Sequence, residues 1–191
     1  GLMLILSGRG TKLVPYIHEW RKEYRATVAL GEATDTLDRT GRILTRGPVP
    51  PDVPERLGAV VASMIGPVLQ EPPMFSAVRV DGVRLHELAR RGMTAERKPR
   101  LKMIHEMEVV SCDLPRLDLR IVCSSGTYVR VIAEMLGRKL GTPAHLAELE
   151  RTSIGPFQRH SAADVDALSV EDRIPAGAWV GLPDVLSDWP L

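Results

Sequence analysis

Residues 22–30 alternate with a period of two: Tyr24, Ala26, Val28 and Leu30 fall on one face, Arg25, Thr27 and Ala29 on the other. Successive side chains of a strand point to opposite faces, so this segment reads as a half-buried strand. Two further strand-like runs, 102–112 and 117–123, are joined through Pro115 and suit a hairpin. Helical stripes lie between and around them. Leu13, Val14, Ile17 and Trp20 form one; Leu57, Val60, Val61, Met64 and Ile65, at i, i+3, i+4, i+7, i+8, form another. A third helix is predicted over 127–140, with Val129, Ile132, Ala133, Leu136 and Leu140 on its apolar side. Antiparallel-looking strands interleaved with helices predict an α+β fold rather than a doubly wound sheet.

The remaining segments follow from their punctuation. The opening Gly1 to Leu6 reads as a strand, Gly8 and Gly10 as a turn, and 31–41, rich in Thr and Asp, as a loop. Pro72-Pro73 opens an expected strand over 75–80, Asp81-Gly82 is a turn dipeptide, and 85–91 is a short helix ended by Gly92. A further helix is expected from Ala144 to Leu149. With 191 residues the chain suits one domain.

Composition narrows the function classes. Cys112 and Cys123 form no C-x-x-C pair and the five histidines show no zinc-binding spacing, so no metal site is expected. Two cysteines without a disulfide framework suit a reducing compartment, and cytosol is the expected location. No apolar run is long enough to cross a bilayer. Residues 161–191 hold six acids (Asp164, Asp166, Glu171, Asp172, Asp184, Asp188) against Arg173 alone, which leaves 24 basic and 18 acidic side chains in the rest. That asymmetry suits a polyanion-facing body, or simply an uneven surface.

Three segments could carry chemistry. Ser124-Ser125-Gly126-Thr127-Tyr128-Val129-Arg130 sits where a strand ends and a helix begins, with Thr127 as the expected N-cap. A helix dipole disfavours a cation in the first turn, so Arg130 belongs there if a buried carboxylate or a phosphate lies opposite; a solvated arginine beside a packed tyrosine is the alternative. Tyr24 puts an aromatic ring on a strand face otherwise lined by small aliphatics. It either stacks on a flat ligand or packs in the core. Between Arg79 and Lys102 lie Arg84, Arg90, Arg91, Arg97, Lys98 and Arg100, opposed only by Asp81, Glu87 and Glu96: a phosphate-contacting element or a solvated face. Gly8-x-Gly10 lacks the third glycine of a dinucleotide site. Asp35 and Asp38 are accounted for by Asx-turn chemistry.

Taken in order, these motifs resemble the TruB family of pseudouridine synthases. Gly1-Leu2-Met3-Leu4 resembles the close of the family's nucleophile motif, Gly8-Arg9-Gly10-Thr11-Lys12 its Gly-x-Ala-Thr-Lys, and Lys22-Glu23-Tyr24 its Lys-x-Tyr. Gly31 to Thr36 with Asp38 and Gly41 matches the following loop, and Pro73-Met74-Phe75-Ser76-Ala77-Val78 the segment entering an RNA-contacting thumb. Gly126 to Arg130 matches Gly-Thr-Tyr-Ile-Arg, and His145 to Arg151 a helix ending in Leu-x-Arg.

The resemblance implies a pseudouridine synthase fold, a mixed and mostly antiparallel sheet flanked by helices, over 1–191 with a thumb insertion at about 79–102. It implies isomerisation of a uridine in the T-loop of tRNA, with the base flipped out of its stack. By the same resemblance Arg130 orients the catalytic aspartate, and Tyr24 stacks on the uracil or accepts its C5 proton. Tyr128 and Leu149 line the pocket and Lys12 supports it. Arg79, Arg84, Arg90, Arg91, Lys98 and Arg100 contact RNA. No metal, organic cofactor, membrane or obligatory protein partner is implied, and a monomer is expected. The family's nucleophilic aspartate precedes a glycine matched by Gly1, so it is expected upstream of residue 1 and the chain is expected to be inactive alone. The small C-terminal RNA-binding domain of many members is expected to be absent. The rival expectations are a non-catalytic tRNA-binding or RNA-chaperone module and a guide-RNA-dependent relative.

Overall fold

The alternating segment forms strand β1 (Lys22–Leu30) and becomes an inner strand of the main sheet. The computed structural model describes residues 1–80, 82–165 and 179–187. Asp81 of the expected turn, and Asp166, Glu171, Asp172, Arg173 and Asp188 of the acidic tail, lie outside the described residues. Ahead of β1 come a 3-10 turn at Gly8–Leu13 and helix α1 (Val14–Glu19). After it come the hairpin β2 (Glu32–Thr34) and β3 (Ile43–Arg46), helix α2 (Val53–Ala62) and strand β4 (Gly66–Gln70). A second small hairpin, β5 (Arg79–Val80) and β6 (Val83–Arg84), leads into helix α3 (Leu85–Arg90). Then follow β7 (Arg100–Asp113), β8 (Arg116–Cys123), helix α4 (Val129–Leu140), β9 (Ala144–Ile154), β10 (Phe157–Gln158) and α5 (Leu182–Ser187).

Six strands make one sheet in the order β10-β9-β1-β8-β7-β4, antiparallel at every junction. This is the α+β architecture expected. α2 and α4 cover one face. Val28 of β1, Ile104 of β7 and Leu119 and Ile121 of β8 meet Leu57 of α2 and Ile132 and Leu136 of α4 in a single buried cluster. Each such side chain contributes about 1.5–3 kcal/mol by leaving water. The opposite face carries polar ladders such as Glu23–Arg120–Glu106, with both Arg120 contacts at 2.8 Å. Cys112 and Cys123 sit at opposite ends of the β7–β8 ladder and are free thiols.

Four expectations are corrected. Residues 144–149 are not a helix but the start of strand β9. Ala, Leu and Glu are good helix formers, yet propensity is a weak prior against a long-range demand. Gly141, at φ 80°, ends α4 in the left-handed conformation glycine adopts freely, and Pro143 turns the chain onto the open edge of β1. The backbone groups of β1 there need partners, and β9 supplies them along nine residues. Residues 1–6 do not form a strand: Leu2 N–H donates to Arg151 O at 2.8 Å, and Leu2 packs with Ile17, Trp20 and Ile154 in a second, smaller core. The strand expected over 75–80 shrinks to Arg79–Val80, while β4, unmarked by any clean alternation, supplies the sheet edge instead. Thr127 does not cap α4, as described next.

Candidate active site

β8 delivers the chain to the sheet's end at Cys123, and α4 begins six residues later. Thr127 Oγ1 donates back to Ser124 O at 2.8 Å, tightening the intervening turn, and Thr127 lies one residue ahead of the N-cap. Tyr128 takes the N-cap position without a side-chain cap. Its N–H donates instead to Gln70 Oε1 at 2.9 Å, and Gln70 Nε2 donates to Tyr128 O at 3.3 Å. Gln70 is only 1% exposed. Val129 points into the core, which leaves Tyr128 and Arg130 on either side of it facing a cleft.

The anion that a cation in this first turn calls for is Asp38. Arg130 Nη1 lies 3.1 Å from Asp38 Oδ2, and the guanidinium also donates to Thr36 O at 3.4 Å and to Phe75 O at 2.7 Å. Asp38 does make the expected Asx-type contact, accepting from Thr40 N–H at 3.0 Å on Oδ1, but its second oxygen serves Arg130. Thr36 and Thr40 hydroxyls add hydrogen bonds of 2.8 and 2.6 Å. Burial opposes ionisation of Asp38; these hydrogen bonds and the Arg130 charge outweigh it and hold the carboxyl below the usual range. The preceding Leu37 is left-handed at φ 63°, a costly conformation for leucine, held by its N–H to Thr34 O and by Leu146 N–H to its carbonyl.

Tyr24, Asp38, Thr127, Tyr128, Val129, Arg130, Leu146 and Leu149 line a cavity of about 270 Å³. Tyr24 packs partly against the main core and also forms a wall of the cleft. Burial raises its phenol pKa, the neighbouring Cys123 adds to that, and the Arg151 guanidinium opposes it. The ring is therefore a neutral, flat surface at ordinary pH. Leu149 remains 47% exposed on β9, an apolar wall open to the cleft.

The other expected residues lie elsewhere. Lys12 sits exposed in the 3-10 turn and does not line the cavity. Arg79, Arg84, Arg90, Arg91, Lys98 and Arg100 are exposed along the β5–β6 hairpin, α3 and the approach to β7. Arg97, from the same run, is instead spent on structure, pairing with Glu71 and donating to Pro72 O at 3.2 Å. The sequence reading did not single out Gln70, and assigned Asp38 a turn role alone. Asp38 lies 92 residues from Arg130 and Gln70 lies 58 from Tyr128, so no local pattern marks either pair.

Residues 1–129 match the family model described as TruB family pseudouridylate synthase (N terminal domain). The tRNA pseudouridine synthase B of Opitutus terrae is 42% identical over 168 residues, which is 88% of this chain and 70% of that protein. That of Geobacter sulfurreducens is 44% identical, covering 88% of this chain and 55% of the relative. That of Burkholderia lata is 40% identical over the whole chain, but the match spans 59% of the relative. The chain thus spans between about half and 70% of these relatives' lengths. Among solved structures, a chain of a Cbf5-Nop10-Gar1 complex superposes with a TM-score of 0.57 at 26% identity, over 88% of this chain and 43% of that one.

Proposed function

This chain belongs to the TruB family of pseudouridylate synthases, and we propose that its cleft is the site at which the whole protein converts a T-loop uridine of tRNA to pseudouridine. The observation carrying the proposal is the Arg130 guanidinium, held at the cleft by Asp38, Thr36 O and Phe75 O beside the two tyrosines. The isomerisation breaks the N1 glycosidic bond, turns the uracil, and rebuilds the bond at C5, with a proton leaving C5 and one gained at N1. A base inside a folded loop must first be flipped out, and a half-apolar pocket with a flat wall is what receives it.

Each residue has a part in this reading. Tyr24 offers its ring to the flipped uracil; its raised pKa favours the stacking role over that of a proton acceptor. Tyr128 and Leu149 complete the walls. Arg130, anchored on Asp38, keeps donors for an incoming carboxylate, and an aspartate preceding residue 1 would be the nucleophile. Support comes from the seating of the first residues. Leu2 is hydrogen-bonded both ways to Arg151, the register partner of Tyr24, and a Cβ on Gly1 would lie 2.7 Å from Arg151 N, so only glycine passes there without displacement. The exposed cations from Arg79 to Arg100 would grip the phosphates of the T-arm, with Lys12 as a more distant support.

The test is release of label from C5-tritiated tRNA transcript, without added proteins, by this chain and by one extended upstream. The extended chain is expected to release tritium and the present one to be inactive. Release by the present chain overturns the upstream nucleophile. Tight RNA binding with no release by the extended chain favours an RNA-binding module, and release only with added guide RNA and partners favours the guide-dependent type.

A further inference from the structure

We propose that Gln70 is a positioning residue of the active site, one that sets the N-terminus of α4 and with it the placement of Tyr128 and Arg130; this rests on the isomerase reading of the cleft. A glutamine is an expensive residue to bury, because its amide carries two donors and a two-pair acceptor that must all leave water. Gln70 is 1% exposed, and its partners are the two backbone groups of one residue: Tyr128 N–H on Oε1 at 2.9 Å and Tyr128 O on Nε2 at 3.3 Å. Helix α4 has no side-chain cap of its own. Thr127, the residue locally placed to supply one, is turned back to Ser124 O. Gln70 therefore does from β4 what the third-position Glu or Gln of a capping box does from within the helix, accepting from the N–H of the N-cap residue.

Its position gives the contact a second consequence. Gln70 ends β4, the edge strand of the sheet, and the segment leading to the basic insertion at about 79–102 begins directly after it. Five residues on, Phe75 O accepts from Arg130 Nη2 at 2.7 Å. The root of the insertion is thus joined to the start of α4 twice, at Tyr128 through Gln70 and at Arg130 through Phe75. Glu71 and Pro72 between these points are held separately by Arg97. Loss of the Gln70 contact should accordingly leave the insertion attached and its phosphate-facing cations unchanged, while Tyr128 and the guanidinium lose their exact placement. Small displacements of reacting and orienting groups cost rate more than binding.

The experiment uses the upstream-extended chain and a T-arm stem-loop RNA, with kcat and KM measured for wild type, Gln70→Met and Gln70→Glu at a temperature where each is folded by circular dichroism. Methionine keeps the volume and removes both hydrogen bonds. Glutamate keeps an acceptor for Tyr128 N–H, at a helix N-terminus that favours an anion. Gln70→Met is expected to lower kcat by about tenfold or more with KM within about threefold, and Gln70→Glu is expected to recover part of the loss. A Gln70→Met protein with a lowered Tm but wild-type kcat would show a purely structural glutamine and overturn the assignment; so would a loss confined to KM. If Gln70→Met does not fold, a wild-type kcat in Gln70→Glu, in which the donor to Tyr128 O is gone, counts equally against it and a reduced kcat at unchanged KM counts for it. Absence of turnover in the extended wild type strikes the isomerase reading instead, and is seen before any variant is compared.

Discussion

Arg130 Nη1 and Asp38 Oδ2 lie 3.1 Å apart, so the first turn of α4 and the loop following β2 meet through a charge pair whose two side chains are 21% and 26% exposed. The guanidinium has three acceptors on two segments: the carboxylate of Asp38 and the carbonyl of Thr36 in the loop following β2, and the carbonyl of Phe75. Arg130→Lys offers one ammonium where a planar fork spans all three. In the upstream-extended protein kcat is expected to fall about 100-fold, equivalent to about 2.7 kcal/mol, as read by tritium release. Near-normal turnover would remove Arg130 from the site.

Asp38 has a depressed pKa in the folded protein, so the ion pair's contribution is present above the ordinary carboxylate range and is lost as pH falls through the folded value. Asp118, hydrogen-bonded by Thr27 and Ser111, behaves in the same sense. Asp38→Asn is expected to lower Tm at neutral pH and to differ progressively less from wild type as pH drops below about 4. Parallel Tm curves for the two proteins down to pH 2–3 would contradict this assignment.

The exposed cations between Arg79 and Arg100 make a graded prediction. If Arg84, Arg90 and Arg91 contact phosphate, each alanine substitution weakens T-arm RNA binding and makes the log–log salt slope shallower by about 0.7–0.9. Arg97→Ala should behave differently, since its guanidinium is committed to Glu71 and Pro72 O: a loss of thermal stability is expected at nearly unchanged salt slope. Binding titrations at several ionic strengths separate the two patterns.

Burial pushes the Cys123 thiol up to about 11, and the side chain is fully enclosed in the main core. The thiolate is the reactive species, so Cys123 should resist alkylation at pH 8 in the folded protein while the partly exposed Cys112 is modified. Mass spectrometry after iodoacetamide treatment should find one adduct under native conditions and two in denaturant. Rapid labelling of Cys123 in the native state would mean that the core around it opens.

The parts of this protein readable from its residues are those specified by neighbours in the chain. The alternation over 22–30 is a strand because one face must be apolar, and the stripe from Val129 to Leu140 is a helix because its spacing makes one buried side. The family motifs and the basic run between Arg79 and Lys102 were visible for the same reason, and so was the reason an anion opposite Arg130 would favour it there. Which group supplies that anion was not. Asp38 carries a local turn signature that accounts for it fully when read alone, and only the folded chain brings its second oxygen to the guanidinium. Tertiary contact likewise turned 144–149, made of helix-forming residues, into a strand by offering them the unpaired edge of β1. It paired the N-cap residue of α4 with Gln70 from the sheet's edge strand. Periodicity and propensity act over a few residues. Hydrogen-bond satisfaction and charge pairing are demands on the whole interior, met by whatever the topology brings within 3 Å or so.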